Sequence, residues 1–396
     1  MKLINPEFKE EISLRIKKIR YQMNSFNTQA VLIGYNSNIY YSTGRFFRGF
    51  VYIAQDQKPL WFVIKPQIFD LDKDNDLFYI RKPEQIPDIL KELDYKNPNT
   101  IGLEEDDLSY SEIIRLQKLF PFSKISNGSI ILKRARMTKT EWEINEIKED
   151  GIHQSKVYGE IKDCYRPGMS DVELQIEIEK KLRLEGALGV SRVSGNLMEI
   201  NLGSVIAGDN ADNPGPYDFT MAGAGMNDSL PVGANGSVIL EGQTVMIDMT
   251  GAFNGYQSDM TRVWSKGKIP TLAIKAHECS RKILRKLEQI TLPGSPVSHL
   301  YDEALKIVEE DGLKEFFMGH KSQVSFIGHG VGIELNELPV INSKSKDIIE
   351  ENMTLAIEPK FVLPGIGAVG IENTYVVKAT GLQNLTFYPE NIEIFR

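Results

Sequence analysis

Cysteine is nearly absent from this chain: Cys164 and Cys279 are the only two among 396 residues. No CxxC occurs, which excludes a thiolate zinc site, a cysteine-ligated iron–sulfur cluster and a disulfide framework. No apolar run approaches the roughly 20 residues that a bilayer-spanning helix needs. Positive charge is in deficit, with 46 Lys+Arg against 54 Asp+Glu and a net charge of -8. That leaves no electrostatic footprint for nucleic acid or an anionic membrane surface. Histidine is scarce as well, with five in all: His153, His277, His299, His320 and His329. The first twenty residues, MKLINPEFKEEISLRIKKIR, are charged and amphipathic and lack the apolar core of a signal peptide. A cytoplasmic location is the expectation.

What remains is an ordinary globular composition, 41% hydrophobic and 25% charged. The length suggests two domains. Up to about residue 138 the chain alternates helix and strand signals. Helices are expected over Glu10–Met23 and Ser111–Leu119. Strands are expected at Ala30–Gly34, Phe50–Ala54, Leu60–Ile64, Thr100–Leu103 and Ser129–Leu132. This is an α/β pattern with short connections. The basic segment Lys133–Thr140 marks a boundary, giving domains of 1–138 and 139–396. The second begins with helical stretches at Glu141–Arg166 and Ser170–Glu185. A Gly/Asn/Asp/Pro-rich stretch over Leu188–Gly242 follows, of the kind that lines pockets. Helices are expected again over Pro270–Ile290 and Val297–Asp311, and short strands over Gln323–Val331 and Gly332–Pro339.

Two hairpins carry the chemistry. In the first, VMIDMTGAF and YQSDMTRVW flank Asn254-Gly255, the signal for a two-residue type I′ turn. That register pairs residue 248 with residue 261, so Asp248 and Asp259 become diagonal neighbours on one face. In the second, Glu358 and Glu372 are equidistant from Gly365 in LPGIG and face each other across a symmetric turn. Asp248, Glu358 and Glu372 sit in apolar runs, and Asp259 lies within the returning strand. Buried together without a cation they would repel strongly. Two divalent ions would cancel them formally. His329, in GHGVG, adds one nitrogen donor. An oxygen-rich set with one imidazole suits manganese first, with cobalt, iron or zinc as alternatives. Two such ions can hold a hydroxide between them and polarise a carbonyl, which is the equipment for amide hydrolysis.

The series Asp248, Asp259, His329, Glu358, Glu372 resembles the pita-bread metallopeptidase family. Xaa-Pro dipeptidases, aminopeptidase P and methionine aminopeptidases are members. The motifs that carry the resemblance are IDMTGAFNGYQSDMTR, GHGVGIELNE, AIEP and GIENT. The first half, through RIKKIRYQM and AVLIGYNSNIYYSTG, is similar to the creatinase/prolidase N-terminal domain. The resemblance implies a creatinase-type α/β domain followed by a pita-bread catalytic domain, and a hydroxide bridging two metals. It casts Asp248 as a chelating ligand, Asp259 and Glu372 as bridging ligands, and Glu358 as a ligand that also shuttles a proton. Thr261 and Arg262 would orient those ligands. It also implies a homodimer, with Gly44–Phe50 (GRFFRGF) in the region that could close a partner's site. The substrate would be a small peptide or another small molecule.

The sequence departs from this family at two points. Its peptidases carry two further active-site histidines, one in a Pro-His context upstream of the first metal aspartate and one shortly after the metal histidine. Val232 stands in the first place, within SLPVGANG, and Asn336 in the second, within ELNELP. Asn336 can donate and accept a hydrogen bond but cannot carry a proton at neutral pH. It is therefore the candidate for the lost histidine's role. The alternative is a non-peptide hydrolase or lyase on the same fold. His320 could reach the site only through folding. Arg192, Asp209, Tyr217 and Asp218 are the polar candidates within the loop-rich stretch.

Overall fold

The computed structural model describes residues 6–67, 76–195 and 200–395. They divide into two compact units, Met1–Arg136 and Met137–Arg396.

The first unit is built on one mixed sheet. Its strands are β1 (Ala30–Ile33), β2 (Arg48–Ala54), β3 (Leu60–Lys65), β4 (Leu77–Tyr79), β5 (Thr100–Leu103) and β6 (Lys124–Asn127). The spatial order is β4-β3-β2-β1-β5-β6. The helices are α1 (Pro6–Ser25), α2 (Asn36–Thr43), α3 (Ile86–Glu92), α4 (Tyr110–Gln117) and α5 (Gly128–Met137). The expectation of a strand at Ser129–Leu132 is corrected here, because those residues lie inside α5. The Asn127 side-chain oxygen accepts the backbone N–H groups of Ser129 and Ile130 and turns the chain into a helix. Ile131, Leu132 and Ala135 then fall on one buried face at helical spacing. The strand role passes to Lys124–Asn127, which pairs in parallel with β5. Lys133–Met137, read as part of a boundary segment, continues the same helix.

In the second unit the helices α6 (Glu141–Glu160) and α7 (Asp171–Glu185) pack on a four-stranded sheet. Its members are β7 (Gly203–Ala207), β8 (Thr244–Gly251), β9 (Ser258–Lys266) and, from the end of the chain, Glu393–Phe395. Capping boxes at Thr140/Glu143 and Ser170/Glu173 fix where both helices begin. The continuous helix expected to Arg166 ends earlier, at Glu160, in a 3-10 turn over Ile161–Asp163. Residues 196–199 of the loop-rich stretch lie outside the described residues. A second layer carries α8 (Thr271–Ile290) and α9 (Val297–Glu310). The strands that follow are β10 (Gly328–Gly330), β11 (Glu337–Val340), β12 (Thr354–Ile357), β13 (Lys360–Leu363), β14 (Gly367–Gly370), β15 (Asn373–Lys378) and β16 (Gly381–Asn384), with Glu393–Phe395 as β17. Five of them form the sheet β11-β10-β12-β15-β16, and β13 pairs with β14 alone. The short strands expected within Gln323–Val331 and Gly332–Pro339 are β10 and β11, the second running on to Val340. Each helix pair seals its own apolar core.

The two hairpins differ in how they turn. The β8–β9 register pairs Asp248 with Thr261 and Thr250 with Asp259, as the sequence pattern requires. The turn is not the expected type I′, which needs positive φ at both central residues. Gly255 has φ 100°, whereas Asn254 is not among the positive-φ residues. The ladder stops at Gly251 and Ser258, and a longer loop joins them. Asn254 stabilises that loop by accepting from the Tyr256 N–H and donating to the Glu146 carbonyl. The other hairpin is two ladders in one register. Ile357 pairs with Asn373 and Lys360 with Gly370. Between them the pairing lapses, and Glu358 and Glu372 face each other in the gap.

Within the first unit, buried Glu104 joins the end of β5 to the start of α2. It accepts the N–H groups of Gly34 and Tyr35 and the Asn38 amide. Burial pushes its carboxyl up from 4.5 to about 7, against the pull of those hydrogen bonds. A raised folded value means the native state keeps the proton longer than the unfolded chain. Wild-type stability therefore falls as pH rises from 4.5 through about 7. Glu104→Gln has no charge to bury. It should gain on the wild type over that window by up to about 3 kcal/mol, from roughly 1.4 kcal/mol per unit. Urea midpoints across the window check this, and a constant difference between the two proteins would refute it.

Candidate metal centre

The site forms where the two hairpins meet. Thr261 of β9 bridges to Glu372 through reciprocal backbone hydrogen bonds of 3.4 and 3.3 Å. The Thr374 hydroxyl accepts the Asp259 N–H at 2.8 Å and donates to the Asp259 carbonyl at 3.0 Å. These links hold β9 against the start of β15, with Asp259 and Glu372 side by side. His329 arrives on β10, directly opposite Ala356 of β12. Its neighbour Gly328 must lack a side chain, because a Cβ there would sit 2.2 Å from the Ala356 carbonyl oxygen. The Glu358 N–H donates to the Ile327 carbonyl at 2.9 Å and fixes the remaining carboxylate beside the imidazole.

Every ligand candidate read from the sequence, Asp248, Asp259, His329, Glu358 and Glu372, lines one cavity of about 300 Å³. Val232, Asp218 and Asn336 line it too, with an apolar wall that includes Ile200, Phe219, Met221 and Leu335. Ligating atoms of Asp259, His329 and Glu372 lie within 4.8 Å of one another. The His329 Nε2 is 3.6 Å from Glu358 Oε1 and 3.9 Å from Asp259 Oδ2. Its Nδ1 lies 3.0 Å from the Gly330 carbonyl. Donation there assigns the proton to Nδ1 and leaves Nε2 free to ligate. Two buried oxygens, Asp259 Oδ1 and Glu372 Oε1, have no hydrogen-bond partner among the described residues. Burial, then the charges of Glu372 and Asp248, hold the Asp259 carboxyl well above the usual carboxylate range. Such orphaned acceptors beside a free imidazole nitrogen fit a divalent cation.

The opposite side of the cluster is already filled. Lys360, missed in reading the sequence, sends its Nζ to Glu358 Oε2 at 2.7 Å, Asp248 Oδ2 at 2.8 Å and Glu372 Oε2 at 2.9 Å. The side chain is 1% exposed. Burial pulls the ammonium pKa down, but the three carboxylates override it and hold it well above the ordinary lysine value. A signal was available: Lys360 is the charged residue in the apolar run after Glu358, two positions on. Thr220 was missed as well; its hydroxyl lies 3.4 Å from Glu358 Oε2.

The supporting residues fall into place around this core. The Thr261 hydroxyl donates to Glu372 Oε2 at 2.8 Å. Arg262 is buried, not a surface residue. It donates to the carbonyls of Thr261 and Glu372, to Asn373 Oδ1 and to the carbonyls of Tyr388 and Pro389. Asn336 accepts the Ser194 N–H at 2.6 Å and donates to the Ser194 carbonyl at 3.0 Å, so both amide heteroatoms hold that loop. His320 stands elsewhere, 3.1 Å from the Asp212 carboxylate. Asp209 accepts the Gly365 N–H, the Arg192 carbonyl accepts from Gln257, and Tyr217 packs on Phe219.

The profile described as Metallopeptidase family M24 matches residues 145–379. The chain belongs to metallopeptidase family M24. A second profile, the Creatinase/Prolidase N-terminal domain, matches residues 15–138. The architecture of this M24 protein is accordingly a creatinase-type α/β domain followed by a pita-bread domain, and its class is that of a metallopeptidase hydrolase. The family implies divalent metal ions. The chain is 25% identical to the Xaa-Pro dipeptidase of Pyrococcus furiosus over 374 residues, covering 94% of this chain and 97% of that protein. It is 27% identical to the Xaa-Pro dipeptidase of Lactobacillus helveticus over 297 residues, 75% of this chain and 73% of that one. The fold is shared with the Xaa-Pro dipeptidase from Bacillus anthracis, at TM-score 0.78, 22% identity and coverage of 97% and 99%. It is also shared with the X-Pro aminopeptidase from Thermotoga maritima, at TM-score 0.75, 22% identity and coverage of 94% and 99%. Among the described residues no helix is long and apolar enough to cross a membrane.

The Thr261 hydroxyl is expected to orient Glu372 toward the metal. Thr261→Val keeps the shape and removes the donor. It should weaken divalent-ion affinity by about 10–100-fold, as read by competition with a chelating dye. Affinity within twofold of wild type would mean that Thr261 only packs.

Proposed function

We propose that this M24 protein hydrolyses the amide bond of small peptides, as a Xaa-Pro dipeptidase or aminopeptidase. The observation that carries the reading is the Asp259–His329–Glu372 cluster, with two orphaned oxygens opening on a cavity of about 300 Å³. That volume lies at the lower end of small-molecule sites and suits a peptide of a few residues. The curated relatives named Xaa-Pro dipeptidase support a peptide substrate, and they give a non-peptide substrate no support.

A divalent cation held by Asp259, His329 and Glu372 supplies Lewis acidity toward a carbonyl and toward water. Manganese is our first expectation for it, from the carboxylate-rich donor set. The protein's own groups do the rest. Glu358 Oε1 faces the imidazole side of the cavity and is placed to accept a proton from the attacking water and return it to the leaving amine. Its other oxygen is held by Lys360 and so cannot rotate freely. Val232 offers only an apolar surface where a proton carrier would otherwise stand. Asn336 contributes by holding the Ser194 loop that walls the cavity. The substrate is handled without nucleic acid or membrane, and a homodimer is part of the same reading.

The test is turnover. Manganese-loaded protein is incubated with a pool of Xaa-Pro and Xaa-Xaa dipeptides and longer Xaa-Pro peptides, and products are read by mass spectrometry. Cleavage is expected to be metal-dependent, and absent from Asp259→Asn. Glu358→Gln should lose about 10²–10⁴-fold in kcat. A protein shown to carry metal yet cleaving none of the pool would sink the peptidase reading.

A further inference from the structure

The expectation of two divalent ions rests on four carboxylates needing four positive charges. Lys360 changes that count. Its ammonium has three N–H donors and finds three carboxylate oxygens, from Asp248, Glu358 and Glu372, all within 2.9 Å. The position is built for it. Lys360 pairs with Gly370, and a Cβ on that glycine would come within 2.8 Å of the Lys360 Cα and 3.1 Å of its Cγ. The strand is pinned on either side of the lysine. Ser280 donates to the Pro359 carbonyl, and the Met318 N–H donates to the Lys360 carbonyl. An ion ligated by these same oxygens would need them at about 2.0–2.2 Å. It would have to expel the ammonium and leave a buried lysine without counter-charge, which is strongly unfavourable.

The other half of the cluster is different. Among the described residues Asp259 Oδ1 and Glu372 Oε1 are buried and unpartnered, and the free nitrogen of His329 lies 3.9 Å from the other Asp259 oxygen, Oδ2. We propose that the Lys360 ammonium stands in for the second metal ion, so that each chain binds one divalent cation, between Asp259, His329 and Glu372. Glu372 then joins the two cations, with Oε2 on the ammonium and Oε1 toward the metal. Counting side chains and metal ions alone, two divalent ions added to this ammonium would leave the cluster with a net charge of +1. One ion leaves a single negative charge instead.

This inference deepens the metallopeptidase reading and rests on its metal, but ion counting tests it apart from turnover. The full-length protein is stripped with chelator, reloaded with excess Mn²⁺ and desalted. Ions per chain are then counted by plasma mass spectrometry, and the same sample gives an electron paramagnetic resonance spectrum. Wild type is expected to hold one ion with the six-line spectrum of isolated Mn²⁺. Lys360→Ala is expected to hold two, with the spectrum of a coupled pair. Two ions per wild-type chain, or none in a folded protein, overturns the proposal. A folded Lys360→Ala that still holds only one ion overturns the role given to the lysine. If that variant fails to fold, the wild-type count decides. One ion per chain without cleavage of any peptide would refute the substrate and leave this inference intact.

Discussion

Four carboxylates gathered in one cavity, three of them buried, repel one another, and the second unit is organised around that repulsion. At separations of a few ångströms, in surroundings far less polar than water, the cost of keeping them ionised is large. The protein meets it with one cation of its own and with a set of donors suited to another. The ammonium of Lys360 holds three of the acids. The oxygens left without partners among the described residues belong to Asp259 and Glu372, the two acids that cluster with His329. Much else follows from holding these charges in place. Arg262 lies behind them with its donors on backbone carbonyls and on Asn373 Oδ1, away from the carboxylate oxygens. It therefore stiffens the junction without competing for the ligands.

Strand geometry does the positioning. The diagonal of Asp248 and Asp259 follows from the β8–β9 register. Glu358 and Glu372 face each other because two ladders share one register and pause between Ile357 and Lys360. Proline 359 has no N–H to give to a ladder, so the pause falls where pairing is weakest. The site thus sits on strands of two sheets stitched together by Thr261, Glu372, Asp259 and Thr374. Such a frame holds ligands more tightly than loops would.

Much of this was legible in the sequence because acids in apolar strands stand out, and because strand pairing has a period of two. The pairing of 248 with 261 survives even though the Asn254-Gly255 turn is not the one expected, since the longer loop is centred on the same point. The strand read at Ser129–Leu132 fails for a local reason: Asn127 caps a helix, and an apolar run of that length fits either element. Asn336 was legible as a substitution but not as a clasp on Ser194, 142 residues away in the chain. Lys360 was passed over because lysines are almost always at the surface. Only the fold shows that its long stem reaches inward past a glycine.

A metal ion comes and goes with its supply; a lysine side chain does not. One third of the positive charge that holds this cluster together is therefore tethered by a covalent bond and cannot be stripped by a chelator or diluted away. Asp248, Glu358 and one oxygen of Glu372 keep their arrangement in a metal-poor cell. The incoming ion finds its neighbours already in place and needs to order only Asp259, His329 and the far side of Glu372.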